Sequence, residues 1–209
     1  MTGLEALAAR AAALAADGRA IIGIAGPPGA GKSTLARALV RALEAGGVPA
    51  AYLPMDGFHL PAAELDLRGL AARKGAPDTF DVVGYVAFLA QVREAREDVL
   101  APDYDRAIHD VVPGALPIHE SARIVVTEGN YLGLGTGGWD RVRPRLDELW
   151  FVDVPWEVTR ARLVERRVAT GREPEAAVAW VDSVDAANTR LVEGSRGSAD
   201  LVLGGAVGR

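Results

Sequence analysis

Cysteine is absent from all 209 residues, which removes disulfides, Cys–zinc centres and thiol catalysis from consideration. Lysine is nearly absent and stands only at Lys32 and Lys74. Acidic residues outnumber basic ones, 28 to 23, for a formal net charge of −5. A general nucleic-acid binder shows the opposite balance. No apolar run reaches membrane-spanning length, and the opening stretch carries Glu5 and Asp17 with no cleavable signal pattern. Internal repeats and low-complexity linkers are lacking too. What remains is ordinary globular composition, 49% hydrophobic and 24% charged, in a chain long enough for one well-buried α/β domain. A cytoplasmic enzyme is the expectation, with neither nucleic acid nor membrane among its partners.

The pattern of apolar residues alternates between two periods. Leu4, Leu7, Ala11 and Leu14 recur at helical spacing, so a first amphipathic helix is expected to end near Gly18. Residues 20–25 form a short apolar run without polar alternation, the mark of a strand covered on both faces. A Gly/Pro loop follows, then a helix over 33–45 closed by Gly46 and Gly47. Residues 50–55 read as a second strand, 56–81 as loop, and 82–100 as a helix with Val82, Val83, Val86, Leu89 and Val92 on one stripe. Residues 101–122 hold three prolines and short apolar runs, the pattern of a small strand-bearing insertion. Strands over 123–127, 148–154 and 201–203 and helices over 155–169 and 173–193 complete the reading. Strands alternating with helices imply a doubly wound parallel α/β sheet.

The segment from Gly26 to Thr34, GPPGAGKST, matches G-x-x-x-x-G-K-[ST] between a predicted strand and a predicted helix, the context that gives this motif its meaning. Gly26, Gly29 and Gly31 let backbone N–H groups turn inward around a phosphate, with Pro27, Pro28 and Ala30 completing the loop. The following helix points its positive end at the same anion. Lys32 supplies a mobile charge for the terminal phosphates, and the Ser33 hydroxyl can ligate Mg²⁺. Such a loop specifies a nucleotide phosphate and leaves the reaction open. Residues 81–84, DVVG, also match the D-x-x-G of GTPase switches, but no N-K-x-D for guanine and no LSGGQ-like stretch is found. A nucleotide-gated switch or binding module stands as the alternative to an enzyme.

Asp56 closes the second predicted strand in LPMDGFHL. Ligands of open α/β sheets bind outside the carboxyl ends of strands, so Asp56 is expected to share a crevice with the phosphate loop. There a carboxylate can orient or deprotonate an acceptor hydroxyl, although a turn aspartate before Gly57 would look the same. Glu128 closes another strand in VVTEGNYL and is placed to reach Mg²⁺ directly or through water, or else to cap the next turn.

The ordered set GPPGAGKST, MDGFH, PDTFD, PDYDRAIHD, TEGNYL and FVDVP, across about residues 20–204, resembles the uridine kinase, pantothenate kinase and phosphoribulokinase superfamily. Bacterial nucleoside/nucleotide kinase-like and fructose-transport-system kinase-like proteins are most similar to it. This resemblance implies ATP and Mg²⁺ as cofactors and a small-molecule alcohol as acceptor. By the same resemblance Asp56 of the Asp56–His59 element corresponds to the base of uridine kinases, and Asp81 to the aspartate that grips the ribose diol. Tyr104 and His109 correspond to the tyrosine and histidine spaced five apart in that family, with Phe58, His59 and Phe80 lining the acceptor pocket. The sequence departs from uridine kinases at Arg106, where they carry an aromatic residue, at His59, where they carry tyrosine, and over residues 61–76. These departures point away from a pyrimidine nucleoside toward an anionic or sugar-like acceptor, with Arg73, Lys74 and Arg106 as its cations.

Arg160, Arg162, Arg166, Arg167 and Arg172 crowd one predicted helix and its exit. The resemblance makes this stretch, about residues 155–173, a lid whose arginines neutralise the transferred phosphoryl group. Arg162 falls at the matching distance before Gly171 and Arg172, and Arg166 is assigned to ATP. The expectation is one kinase domain over 1–209, with acceptor-side insertions at about 57–81 and 101–122, in which Asp56, Lys32 and Arg162 are catalytic and Ser33 and Glu128 hold Mg²⁺. Whether it pairs as a homodimer stays open.

Overall fold

The computed structural model describes residues 3–16, 18–105 and 107–204. The chain enters through α1 (Leu4–Leu14), which buries Leu7 and Ala11, and turns into β1 (Ala20–Ala25). Next come α2 (Lys32–Ala45), β2 (Ala50–Pro54), a 3-10 turn (Met55–Phe58) and α3 (Ala62–Leu67). Helix α4 (Val82–Glu94) leads into an antiparallel hairpin of β3 (Val99–Asp105) and β4 (Asp110–Ile118). After β5 (Ile124–Glu128) and β6 (Glu148–Asp153) follow α5 (Trp156–Ala169), α6 (Pro174–Trp180), a π-helical turn (Val181–Asp185), α7 (Ala186–Glu193) and β7 (Leu201–Gly204).

Five strands pair in parallel in the order β2-β5-β1-β6-β7. The apolar runs lack polar alternation because helices cover both faces. Alternate residues of each strand feed opposite cores, following the two-residue period of a strand. Ile21, Val125, Leu149 and Phe151 pack with Tyr85 and Leu89 of α4. Ile22, Ile24, Val126 and Trp150 pack with Leu7 of α1 and Leu35 and Leu39 of α2. In this register Ile24 lies beside Glu128 and Pro54 beside Glu128 on the other side, so β1, β5 and β2 end level with one another. That levelling places the phosphate loop, Glu128 and Asp56 at one edge.

Some boundaries differ from the sequence reading. Helix α1 stops at Leu14 rather than near Gly18. Helix α4 ends at Glu94, six residues short of Leu100, because Ala95 is extended and the Asp98 carboxylate accepts the Glu120 amide at 2.8 Å, which starts the hairpin. Its buried stripe is Tyr85, Leu89 and Val92, whereas Val83 is exposed. Asp81 caps this helix through the Gly84 amide at 2.8 Å and fixes its rotation, with Tyr85 inward and Val83 outward. Loop 56–81 contains the 3-10 turn and α3, and the expected helix over 173–193 is interrupted by the π-helical turn.

The 3-10 turn that carries Asp56 is clamped under the hairpin. A Cβ built on Gly57 would stand 2.3 Å from the Pro102 carbonyl oxygen. Only glycine fits there without moving β3. Gly57→Ala is therefore expected to cost about 1–3 kcal/mol, a fall of roughly 3–10 °C in melting temperature. An unchanged thermal transition would show that turn and hairpin are not held together in this way.

Candidate active site

Helix α2 begins at Lys32, and the preceding Gly31 is left-handed at φ 93°. No side chain caps this helix and no acid stands in its first turn, so its leading amides and its positive end face the loop. Gly26 at φ 146° lets the loop pass where a Cβ would stand 2.6 Å from the Val152 carbonyl. Pro27 and Pro28 are buried, and the Ala30 amide donates to Pro27 O at 3.1 Å, closing the turn. The result is a ring of backbone donors at a helix N-terminus, the form of a phosphate cradle.

Lys32 is largely buried, and its Nζ donates to Pro27 O at 3.0 Å and to Asn130 Oδ1 at 2.7 Å. The Ser33 hydroxyl donates to Glu128 Oε1 at 2.8 Å, and the Tyr52 hydroxyl donates to the same oxygen at 2.8 Å. Glu128 is 5% exposed. Burial pushes its carboxyl above the ordinary range and the charge of Asp56 adds to that, while Lys32, Ser33 and Tyr52 pull the other way. A buried carboxylate bearing two hydroxyl donors beside a phosphate cradle suits a hard cation that arrives with phosphate oxygens. Among the described residues no group of three or more His, Asp or Glu could cage a metal on its own.

These residues open onto a cleft of about 830 Å³ that also takes in Asp56, His59, Tyr104, His109 and Arg162, Arg166 and Arg167 of α5. The His59 ring lies between Phe80, at 3.9 Å between centroids, and Tyr104, at 4.8 Å. Lys74 Nζ donates to His109 O at 2.8 Å and sits 5.2 Å from the centre of the Tyr104 ring. Phe58 and Phe80 are buried against Tyr85, Tyr131 and Trp139, beneath the cleft rather than along it. Asp81 accepts the Gly84 amide at 2.8 Å and is not among the cleft-lining residues. Arg106 lies outside the described residues.

The arginines of α5 divide by partner. Arg160 pairs with Asp182 at 2.6 Å and Arg167 with the buried Asp185 at 2.8 Å, which fastens α5 to the π-helical turn. Arg162 donates to Gly29 O of the phosphate loop at 3.3 Å, and Arg166 lines the cleft. Arg172 stacks on the Trp180 ring at 4.5 Å. Sequence reasoning missed Asn130, Tyr52 and Trp180. Asn130 stood in view, a polar residue two positions beyond Glu128 in TEGNYL. Tyr52 reads as an ordinary strand aromatic, and only the β2–β5 pairing brings its hydroxyl to Glu128.

The model of the phosphoribulokinase/uridine kinase family matches residues 21–205. A protein from Silicibacter sp. TM1040, provisionally named a fructose transport system kinase, is 39% identical in sequence, with a TM-score of 0.88 over 96% of this chain and 98% of its own. A Schizosaccharomyces pombe protein provisionally named a uridine kinase is 33% identical over 88% of this chain and 83% of its own length. The pantothenate kinase of Bacillus velezensis is 40% identical over 60% of this chain, a match that spans 40% of that enzyme. With the glycine-rich loop, the buried Glu128 and Asp56 at one sheet edge, and this match across nearly its whole length, the chain belongs to the phosphoribulokinase/uridine kinase family and carries out ATP-dependent phosphoryl transfer to the hydroxyl of a small molecule.

Proposed function

We propose a division of roles within that reaction, supported above all by the meeting of Lys32, Ser33, Glu128 and Asp56 at the carboxyl ends of β1, β5 and β2. The loop amides and Lys32 hold the β- and γ-phosphates, which requires Lys32 to exchange Pro27 O and Asn130 for phosphate oxygens. Ser33 and Glu128 hold Mg²⁺, directly or through water. When bound, the ion neutralises charge on the β- and γ-oxygens. Asp56 orients the acceptor hydroxyl and takes its proton. His59, Tyr104 and His109 form the acceptor wall, and Arg162 and Arg166 place positive charge over the transferred group as residues 155–173 close as a lid. The acceptor is a sugar, a nucleoside or a pantothenate-like alcohol. Among the described residues no helix is long and apolar enough to cross a membrane, and a cytoplasmic site of action belongs to the same reading.

Glu128 gives the test. A carboxylate buried to this degree costs folding free energy unless a cation joins it. Glu128→Gln is thus expected to leave the nucleotide-free protein as stable as the parent or more so, while lowering Mg²⁺-supported turnover by about 10–100-fold. Thermal melts with and without Mg²⁺, beside ADP release in an acceptor screen, measure both halves. A variant that loses stability yet keeps its turnover would remove Glu128 from the metal site.

A further inference from the structure

Strand β2 runs along one edge of the sheet and reads Ala50-Ala51-Tyr52-Leu53-Pro54. Tyr52 packs against the core on the α2 side, which an aliphatic residue would fill as well, so its hydroxyl calls for a separate reason. In the parallel register Tyr52 lies beside Val126 and Pro54 beside Glu128. Alternation along a strand puts Tyr52 and Glu128 on one face, with Glu128 one step farther toward the carboxyl edge. The phenol reaches forward along this diagonal and donates to Glu128 Oε1 at 2.8 Å. Ser33, in the first turn of α2, donates to the same oxygen at 2.8 Å.

Two hydroxyls on one oxygen fix more than its position. A carboxylate oxygen has two lone-pair directions, and Ser33 and Tyr52 take up both on Oε1. The carboxylate cannot swing or tilt without giving up a donor, so the direction of Oε2 is set. Neutral donors hold the group without cancelling its charge as an ion pair would. Burial, with the charge of Glu128 beside it, pushes the Tyr52 phenol well above its ordinary value, so the hydroxyl stays a donor. The ring in turn is held from outside. Arg37, exposed and one turn of α2 beyond Ser33, stands over it at 4.1 Å from its centre.

Resting on the assignment of Glu128 to Mg²⁺, we infer that Tyr52 is a positioning residue for phosphoryl transfer. Its hydroxyl, together with Ser33, pins Oε1 of Glu128 so that Oε2 faces the cation or a water bound to it, and Arg37 keeps the ring in that pose. Tyr52 is not among the cleft-lining residues. It acts through Glu128, as the outer partners of metal-ligating groups do, and not by contact with nucleotide or acceptor.

Tyr52→Phe keeps the ring and removes only the hydroxyl. Calorimetry with ATP and no acceptor gives the first readout. MgATP is expected to bind about tenfold more weakly than to the parent, while ATP in EDTA binds within about twofold of it. In turnover, kcat at low free Mg²⁺ should fall by about tenfold and recover as Mg²⁺ is raised, with the acceptor's KM held within about twofold. Arg37→Gln, a surface change that frees the ring, should weaken MgATP binding by about threefold. In a Glu128→Gln background, Tyr52→Phe should add less than about twofold, because its target is gone. Provided Glu128→Gln itself weakens MgATP binding, three results would overturn this inference and leave Glu128 at the metal site: parent-like MgATP binding by Tyr52→Phe, an equal loss with ATP in EDTA, or a full loss that persists in the Glu128→Gln background. Glu128→Gln binding MgATP as tightly as the parent would remove both.

Discussion

Lys32→Met is expected to bring phosphoryl transfer close to zero, with kcat lower by about 10²–10³-fold or more, in a protein that still folds. The side chain grows from the first residue of α2, and its stem is buried while the ammonium reaches Pro27 O and Asn130 Oδ1. Methionine keeps most of that stem volume, so the packing under the loop survives the change. What disappears is the one lysine charge at the cradle, in a cleft that also holds the carboxylates of Asp56 and Glu128. Two measurements separate charge from shape. Calorimetry should show weaker ATP binding, and single-turnover transfer should show a larger loss, because charge on the γ-phosphoryl oxygens is greatest near the transition state. The thermal transition should move by only a few degrees. ATP bound as tightly as in the parent, with turnover intact, would strike Lys32 from the phosphate site.

How far such a site can be read from a sequence depends on whether its parts are local. The phosphate loop is written in consecutive residues, and the flanking strand and helix follow from hydrophobic period alone. Asp56 and Glu128 were legible because each closes an apolar run, and parallel strands of like length deliver their ends to one edge. The misreadings have physical causes as well. Val83 satisfies a helical stripe as well as Tyr85 does, and only the Asp81 cap decides which of them turns inward. The end of α4 was hidden because residues 95–98 carry no glycine or proline, and the helix is stopped instead by a distant partner, Glu120, on Asp98. Asn130, Tyr52 and the Trp180–Arg172 stack depend on contacts across long separations, which no local pattern encodes. The arginines of α5 are alike in sequence. Their division into structural pairs at Asp182 and Asp185 and cleft-facing groups appears only once α6 and the π-helical turn pack on α5.

For Asp56→Asn the expected result is loss of catalysis without loss of binding. Asp56 sits half-buried in the 3-10 turn after β2, on the edge shared by Glu128 and the phosphate loop. If its carboxylate takes the acceptor's proton, asparagine keeps the shape and loses the acceptance, and kcat should fall by on the order of 10²–10⁴. The loss should fall on kcat more than on the acceptor's KM, because the proton moves only near the transition state. Stability supplies a second readout. The charge of Asp56 stands against that of the buried Glu128, so neutralising it relieves a like-charge repulsion, and the melting temperature should hold or rise. An aspartate that merely forms the turn before Gly57 predicts the reverse, a lower melting temperature with turnover preserved. A carboxylate serving chiefly as a metal ligand predicts a third pattern, activity that returns as Mg²⁺ is raised. Near-parent kcat in a folded Asp56→Asn protein would take the proton acceptor out of this mechanism while leaving the phosphate cradle in place.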